Sequence, residues 1–238
     1  IANGCVLAGC ALVGGETAEH PGLLGVDDYD IAGAGTGVVD ATDLLGPDRV
    51  VAGDVAIAIS SSGLHSNGYS LARHVAFNVA GLDVHDHVAE FSRTLGEELL
   101  EPTRIYAKDI LNLIKAVPVH SISHITGGGI AANVARVMPA ELALEIDRAT
   151  WSPQAIFAWL QARGNIDRSE AEKTFNMGIG MLVFVPASAA QLAITSLQAS
   201  GLSAWVCGEV RSRNAGEMGD AVAKGGNGGA VTLVGNYK

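Results

Sequence analysis

The chain has 238 residues, of which 48% are hydrophobic and 17% are charged, and its formal net charge is −10. These proportions are typical of a globular protein with a large buried core, and the acidic balance argues against nucleic acid as the main partner. No apolar run reaches the roughly 18 residues that span a membrane, and no signal peptide is visible, so we expect a cytoplasmic protein that does not bind membranes. Cys5, Cys10 and Cys207 lack metal-ligand spacing and are expected to be free, buried thiols.

The start of the chain carries a glycine-rich turn after two short predicted elements. Ile1 to Ala11 favours a helix already under way at the first residue, and it leads into a strand at Leu12–Val13. We therefore expect the chain to be the later part of a longer protein. Two glycines before an acid and a hydroxyl suit a turn at which the backbone approaches phosphates, although a plain turn fits equally well. These turn residues are Gly14, Gly15, Glu16 and Thr17.

A second strand is predicted at residues 29–39, where small side chains on one face suggest close packing against another sheet or subunit. Gly46, Pro47 and Gly53 then interrupt the pattern. The predicted domains are residues 1–45, the remainder of an N-terminal domain, and residues 46–238, a complete C-terminal domain.

The stretch 60–70 joins a predicted strand to a predicted helix. Residues 54–59 form a continuous apolar run, typical of a strand buried on both faces. A helix that starts after such a strand points backbone N–H groups outward, where they can bind an anion. The loop also contains His65, which titrates near neutral pH, beside Ser66 and Asn67. The same residues equally fit a tight turn in which Ser66 or Asn67 caps the helix.

A second strand–glycine–helix unit follows, with a strand at residues 119–125 and a helix at residues 130–138. Between them lie Thr126, Gly127, Gly128 and Gly129. Three consecutive glycines favour close approach of an anion to the backbone, and a structural turn explains them equally well. The chain contains neither a dinucleotide-binding glycine pattern nor a Walker-type phosphate loop.

The remaining elements alternate between helix and strand. Helices are predicted from Pro102 to Val117, Ser152 to Gly164, Ser169 to Phe175 and Ser188 to Gly201, and strands at Leu142–Ile146, Leu182–Val185, Ala204–Val210 and Ala230–Val234. Ser169 and Ser188 each begin a capping-box pattern. In the first of these helices, the residues predicted to face the core are Ile105, Ile110, Leu113 and Ile114. The alternation predicts a layered α/β fold, of the α+β class in the broad sense, with a mixed sheet.

Five motifs occur together in a fixed order, and their combination is far more specific than any one of them. They are Gly14–Glu19, Ser61–Ser70, Glu101–Tyr106, His124–Gly129 and Phe175–Met181. In this combination the chain closely resembles the phosphoribosylformylglycinamidine cyclo-ligases, the aminoimidazole ribonucleotide synthetases of purine biosynthesis. The resemblance covers residues 1–210 and lacks the family's N-terminal stretch.

The resemblance implies an enzyme that uses ATP and Mg²⁺ to close the ring of formylglycinamidine ribonucleotide, releasing ADP and phosphate. It implies a homodimer whose N-terminal α/β domains join their sheets across a two-fold axis, each followed by an α/β/α domain. ATP phosphates would lie near Gly14–Thr17, and His65 would be catalytic. The implied substrate contacts are Ser66, Asn67, Thr126, Gly127, Gly128, Gly129, Asn176 and Gly178.

The resemblance also implies that the Mg²⁺ ligands and an ATP-contacting lysine lie upstream of Ile1, so no metal ligand is assigned in this chain. His124 stands where sister families tend to carry a metal-binding aspartate. A hydrogen-bonded histidine at the end of a strand is the alternative interpretation of this residue.

Other enzymes share the implied scaffold. They are formylglycinamidine ribonucleotide synthetase, selenophosphate synthetase, thiamine-phosphate kinase and the hydrogenase-maturation enzyme. Residues 64–69 and 175–181 favour the cyclo-ligase over each of them. A ribonucleotide-binding protein without turnover is the alternative from another class. A requirement for glutamine or for a selenium or sulfur donor would favour a sister enzyme, and binding without ATP consumption would favour the binding protein.

Overall fold

The computed structural model describes residues 1–223 and 225–238 of the chain. The chain divides into two units, residues 1–44 and residues 45–238. The first unit contains the helix α1 (Ala2–Ala8), which ends at a left-handed glycine, and a 3₁₀ turn at residues 41–43.

The two strands predicted in the first unit are wrong. In the described structure neither Leu12–Val13 nor residues 29–39 form a strand. A strand is stable only when its backbone groups pair with a neighbour and one of its faces is covered. Residues 1–44 include no buried side chain, so neither condition is met within this unit.

The second unit is organised around a six-stranded mixed sheet. The strands of the unit, in chain order, are β1 (Asp54–Ser60), β2 (His87–Val88), β3 (Arg93–Thr94), β4 (Ser121–His124), β5 (Leu142–Asp147), β6 (Ile179–Pro186), β7 (Ala204–Ser212) and β8 (Ala230–Val234). The order across the sheet is β4–β6–β1–β7–β5–β8. β5 and β8 are parallel and the other neighbours are antiparallel, while β2 and β3 form a separate hairpin. The prediction of an α/β fold with a mixed sheet is confirmed.

Helices cover both faces of this sheet. They are α2 (Tyr69–Arg73), continued by a π-helical turn (His74–Val79), α3 (Leu95–Leu99), α4 (Ala107–Ala116), α5 (Gly129–Ala135), α6 (Ala155–Gly164), α7 (Arg168–Thr174) and α8 (Ala190–Ala199). Short 3₁₀ turns lie at Pro47–Arg49, Arg148–Thr150 and Ala187–Ala189. α4 and α8 pack on one face of the sheet, and the π turn, α5, α6 and α7 contribute to the core on the other. The unit therefore has the predicted α/β/α layers.

The central strand β1 shows why both faces must be covered. Ala56 and Ala58 belong to one apolar core, whereas Val55, Ile57 and Ile59 belong to the other. Successive side chains of a strand point to opposite faces, so a continuous apolar run must be buried on both sides. The prediction of a strand buried on both faces is confirmed.

Three predicted helix caps are wrong. Gly68, in the left-handed region at φ 76°, precedes α2, so neither Ser66 nor Asn67 caps it. Ser169 lies inside the first turn of α7, and Ser188 lies in the 3₁₀ turn before α8. The side chains of Ser66 and Asn67 make hydrogen bonds to distant loops instead, and such bonds compete with local capping.

The helix predicted to open at Pro102 begins later, at Ala107. Ile110 and Leu113 are buried as predicted, but Ile105 and Ile114 are each 37% exposed. Ile105 precedes the first helical residue, so it does not share the buried face of α4. The segment between Pro102 and the helix is irregular and lies beside the loop that carries His65.

The three cysteines are free, but only Cys207 fits the expectation of a buried thiol. Its Sγ lies 3.4 Å from the carbonyl oxygen of Ala56 inside the sheet. Cys5 is half-buried and Cys10 is exposed, because both belong to the unit that buries no side chain. Within the part of the chain that the structure describes, no helix has the length and apolar character needed to cross a membrane.

Candidate active site

The candidate site lies at the C-terminal end of β1, where a β-bulge in β6 interrupts the regular pairing of the two strands. Ile59 pairs with Met181 and Ser60 pairs with Ile179, so Gly180 is the extra residue of the bulge. A Cβ at Gly180 would lie 2.7 Å from His65 Cε1 and would overlap the Tyr106 side chain. A glycine at this position therefore lets two side chains pack directly onto the strand.

His65 lies under its loop rather than on the surface. It is only 3% exposed, and its backbone adopts the left-handed conformation at φ 58°, which is uncommon for residues other than glycine. The backbone N–H of Ser62 donates to His65 Nε2 at 3.1 Å. The loop therefore fixes the orientation of the imidazole from within.

Tyr106 and His124 complete a cluster of three rings with His65. The ring centroids lie 6.2 Å apart for His65 and Tyr106, and 6.4 Å apart for each of the other two pairs. Tyr106 is buried, and its hydroxyl donates to the carbonyl oxygen of Ser60 at 2.8 Å. His124, the last residue of β4, is the exposed member of the cluster.

The two histidines of this cluster are held in the neutral form. Burial, followed by the nearby His124 and Arg104, lowers the pKa of His65 to about 4. Although the residue as a whole is exposed, partial burial of its ring, and then Arg136, lower the pKa of His124. His65 is therefore a neutral imidazole near pH 7. It can donate one hydrogen bond and accept another, but it lacks the second proton that an imidazolium could give to a substrate.

This lowered pKa predicts a loss of stability in mild acid. The unfolded chain binds a proton at His65 near pH 6.5, whereas the folded chain binds it only near pH 4. Above pH 6.5 the ring is neutral in both states and the free energy of unfolding is at its full value. As the pH falls from 6.5 toward 4, only the unfolded chain takes up the proton, so the free energy of unfolding decreases. Between pH 7 and pH 5 the free energy of unfolding should fall by about 2 kcal/mol through His65 alone.

Chemical denaturation at both pH values, on the wild type and on His65→Asn, measures this contribution. Asparagine tolerates the left-handed backbone and does not titrate. The fall between pH 7 and pH 5 should be smaller in the variant by about 2 kcal/mol. Because His124 and Arg104 face the same ring, the difference between the two proteins isolates the His65 contribution. Equal falls in both proteins would contradict it.

Asn176 joins the His65 loop to the segment that leads into β6. Its Nδ2 donates to the carbonyl oxygen of Gly63 at 2.8 Å. Its Oδ1 accepts from Ser61 Oγ at 3.1 Å and from the backbone N–H of Gly178 at 2.8 Å. Asn176 is 1% exposed, so its polar atoms are committed to holding the loop. Gly178 is also buried and adopts a left-handed φ of 91°.

Asn67 and Ser66 connect the same loop to two further segments. Asn67 Oδ1 accepts from the backbone N–H of Gly127 at 2.9 Å. Ser66 Oγ lies 3.2 Å from Thr103 Oγ1, and either hydroxyl can donate. The predicted site residues of both strand–loop–helix units therefore meet at one place.

Asn133 holds the triple-glycine turn together from the first turns of α5. Its Nδ2 donates to the carbonyl oxygens of Gly129 and Thr126, at 2.7 and 3.1 Å. Thr126 Oγ1 donates to Asn133 Oδ1 at 3.0 Å, and the backbone N–H of Gly129 bonds to the Thr126 carbonyl at 3.2 Å. The N–H groups of Gly127 and Gly129 are thus paired within the protein, and contact of this turn with a substrate phosphate stays a prediction.

The other side of this turn borders a basic cavity of about 360 Å³. Gly128, with φ 100°, lines it together with Arg148, Arg168 and Lys173. Arg148 forms a buried salt bridge with Glu172 at 2.7 Å. Asp220 also lines the cavity, so two carboxylates face three cationic side chains and the cavity keeps only a slight basic character.

Gly14, Gly15, Glu16 and Thr17 lie in the first unit and are all exposed. A Cβ at either glycine would meet nothing within 4 Å, and their contact with ATP phosphates stays a prediction. In the part of the chain that is described, no three His, Cys, Asp or Glu residues are grouped as a metal site. No Mg²⁺ ligand is therefore assigned among the described residues.

Comparison with known proteins places this arrangement in a family. The family described as AIR synthase related protein, C-terminal domain, matches residues 51–220. This is most of the chain. The chain belongs to this family. The matched region contains the bulge, the His65 loop, the triple-glycine turn and Asn176, so all of the second-unit site lies within an AIR synthase-related C-terminal domain.

Solved structures of other proteins are similar to this AIR synthase-related domain. Thiamine-monophosphate kinase from Stenotrophomonas maltophilia K279a is 17% identical, with a TM-score of 0.52, over 84% of this chain and 56% of that chain. E. coli HypE, a hydrogenase maturation protein, is 21% identical, with a TM-score of 0.47, over 80% and 49%. T. maritima PurL complexed with FGAR is 13% identical, with a TM-score of 0.42, over 72% and 26%. The chain spans about half or less of these proteins, and the kinase shares its fold.

Sequence reasoning missed several residues of the AIR synthase-related site. Tyr106, Arg104 and Gly180 were each part of a motif, but only the fold brings them beside His65. Gln154 was also missed, and its Nε2 donates to the carbonyl oxygen of Ser61 at 2.8 Å. The signal for Arg104 and Tyr106 was their position just after Pro102, which the sequence reasoning assigned to a helix.

Proposed function

We propose that the chain is part of an ATP-dependent enzyme that converts formylglycinamidine ribonucleotide into aminoimidazole ribonucleotide. The observation that carries the proposal is the meeting of three motif segments around the buried imidazole of His65. Hydrogen bonds from the Gly127 N–H to Asn67 and from Asn176 to the Gly63 carbonyl join these segments. The same segments carry the resemblance to the cyclo-ligases, and family membership supports the assignment.

The proposed reaction has two bond-forming steps. The formyl oxygen of the substrate attacks the γ-phosphorus of ATP, and the bond between that phosphorus and ADP breaks. An amidine nitrogen of the same substrate then uses its electron pair to form a bond to the formyl carbon. The bond between the formyl carbon and the phosphate oxygen breaks, phosphate leaves with the electron pair of that bond, and the ring nitrogen loses a proton.

The neutral state of His65 defines its proposed part in this chemistry. Negative charge grows on the oxygen that leaves with phosphate, and a fixed neutral donor stabilises such charge without transferring a proton. Ser62 fixes the ring through Nε2, and Asn176 fixes the loop. Asn67 joins this loop to the triple-glycine turn through the Gly127 N–H. ATP supplies the phosphoryl group, and no residue of the chain is assigned to Mg²⁺.

The test is release of ADP from ATP in the presence of formylglycinamidine ribonucleotide, without glutamine. It applies to this chain and to any longer protein that contains it. We expect ADP and aminoimidazole ribonucleotide to form in equal amounts. A requirement for glutamine, or for a selenium or sulfur donor, would replace the proposal with one of the sister reactions. Ribonucleotide binding with no ADP release in any form of the protein would favour a binding role.

The proposed role of His65 predicts a specific kinetic change. His65→Asn should lower kcat by about 100-fold, because asparagine has no Nε2 for the Ser62 N–H to hold, so its amide is not fixed as a donor to the transition state. KM for the ribonucleotide should change by less than about threefold. Steady-state kinetics beside His87→Gln, a change at an exposed histidine, provides the comparison. An unchanged kcat in His65→Asn would reject the catalytic role and leave His65 as a loop residue.

A further inference from the structure

Two buried nitrogen atoms of the candidate site have no hydrogen-bond partner among the described residues. They are Nδ1 of His65 and Nε of Arg104. A buried polar atom without a partner is costly, and native proteins contain few of them. Gln154 Oε1, an acceptor of the same site, is also without a partner. Unpaired atoms gathered in one site indicate that something outside the chain completes them, and the two nitrogen atoms show what the donors require.

The hydrogen bond at the other ring nitrogen shows which His65 atom carries the proton. The backbone N–H of Ser62 donates to Nε2, so Nε2 acts as the acceptor. A neutral imidazole has one protonated nitrogen, so the proton is on Nδ1. His65 therefore presents a buried N–H donor that lacks an acceptor.

Arg104 supplies a second donor of the same kind. An arginine side chain carries N–H donors and no acceptor, and its charge is permanent. The guanidinium is close enough to His65 to act on it electrostatically. The preceding residue, Thr103, contacts Ser66 on the His65 loop, which places the two donors on neighbouring segments.

We propose that His65 Nδ1 and Arg104 Nε together bind a phosphoryl oxygen. Two donors with no acceptor between them select an anion, and a positive guanidinium beside a neutral N–H favours a phosphoryl group over an uncharged oxygen. The N–H groups of Gly127 and Gly129 are used within the turn, so the arginine and histidine supply the contact that the glycines do not. The identity of the natural ligand is inferred from the proposed function. It is either the ribonucleotide's own phosphate or the phosphate released by ring closure.

Calorimetric titration with inorganic phosphate and with ribose 5-phosphate tests the site without ATP or turnover. Arg104→Gln should raise Kd for the ligand that binds by at least about tenfold, because it removes a charge-assisted bond. Arg104→Lys keeps the charge but loses the planar donor group, so its Kd should lie between the two. The matched control is Arg73→Gln, at an exposed arginine of α2, with an expected change of less than about twofold.

The two probes separate the two sources of phosphate. Tighter binding of ribose 5-phosphate, in competition with inorganic phosphate, assigns the site to the ribonucleotide. Binding of inorganic phosphate that persists at saturating ribose 5-phosphate assigns it to the released product. Both results support the site, provided that Arg104→Gln weakens the binding.

Equal Kd values for the wild type, Arg104→Gln and His65→Asn would overturn the inference, as would no detectable binding of either probe by the folded wild type. Unfolding temperatures within about 2 °C of the wild type would show that each variant is folded. Phosphate binding that depends on Arg104, with no ADP release in the ring-closure assay, would retain the site and reject the proposed reaction. Ring closure by the wild type, with no effect of Arg104→Gln on the binding of either probe, would retain the proposed reaction and reject the phosphoryl site.

Discussion

Replacing Gly129 with alanine is expected to destabilise the second unit by at least about 4 kcal/mol, the largest effect of any change considered. A Cβ at this position would lie 2.7 Å from the carbonyl carbon of Glu172, and closer still to the carbonyl oxygen. It would also lie 3.1 Å from the Cα of Lys173, so the obstacle is the backbone of α7. Backbone cannot turn aside as a flexible side chain can. The positive φ of 72° adds a further cost.

Gly201→Ala is the matched control for this prediction. Gly201 also has a left-handed φ, 81°, but a Cβ there would meet nothing within 4 Å. It should therefore show only the conformational cost of about 1 kcal/mol. Thermal unfolding should give a decrease of about 8 to 16 °C for Gly129→Ala and about 2 to 4 °C for Gly201→Ala. Similar decreases in the two variants would mean that α5 and α7 do not approach as closely as described.

Asn176→Ala is expected to lower the free energy of unfolding by about 3 to 4 kcal/mol. The change removes three hydrogen bonds and leaves the carbonyl oxygen of Gly63 and the N–H of Gly178 buried without their partner. Each such group costs about 1 to 3 kcal/mol when it is left unpaired. The loop that carries His65 should also lose its fixed position.

Two measurements separate a general loss of stability from this loss of loop position. Asn78→Ala, at an exposed asparagine of the π-helical turn, should change the free energy of unfolding by less than about 0.5 kcal/mol. Hydrogen exchange below the unfolding temperature should be faster at residues 61–65 in Asn176→Ala, while β7 keeps its protection. Unchanged exchange in this loop would show that Asn176 does not position it.

Much of the second unit could be predicted because its signals are local. The apolar run of β1 and the helical spacing of α6 each depend on neighbours in the chain, and both elements were predicted near their observed bounds. The errors arose where distant contacts compete with local preferences. The helix expected at Pro102 starts later because residues 102–103 instead contact the His65 loop, and the strand at residues 29–39 has no partner within its unit.

The candidate site could be predicted only in part for the same reason. The sequence indicated His65, Asn67 and the triple-glycine turn as important, but not that Asn67 would occupy the N–H of Gly127. It also gave no sign that burial would hold His65 neutral, because that depends on β6 and on Tyr106. Direct substrate contact by Asn176 stays a prediction, and its buried hydrogen bonds favour a positioning role.

The position of β1 at the centre of the sheet has a consequence for synthesis on the ribosome. β1 leaves the ribosome well before its neighbours, since Ala58 pairs with Leu182, which follows about 125 residues later. At about 5 to 20 residues per second, this strand waits roughly 6 to 25 s for its first neighbour. During that interval the apolar residues of β1, which are later buried on both faces, are exposed and can pair with non-native strands or aggregate. The yield of folded protein should therefore depend on chaperones that cover nascent chains more than the final stability would suggest.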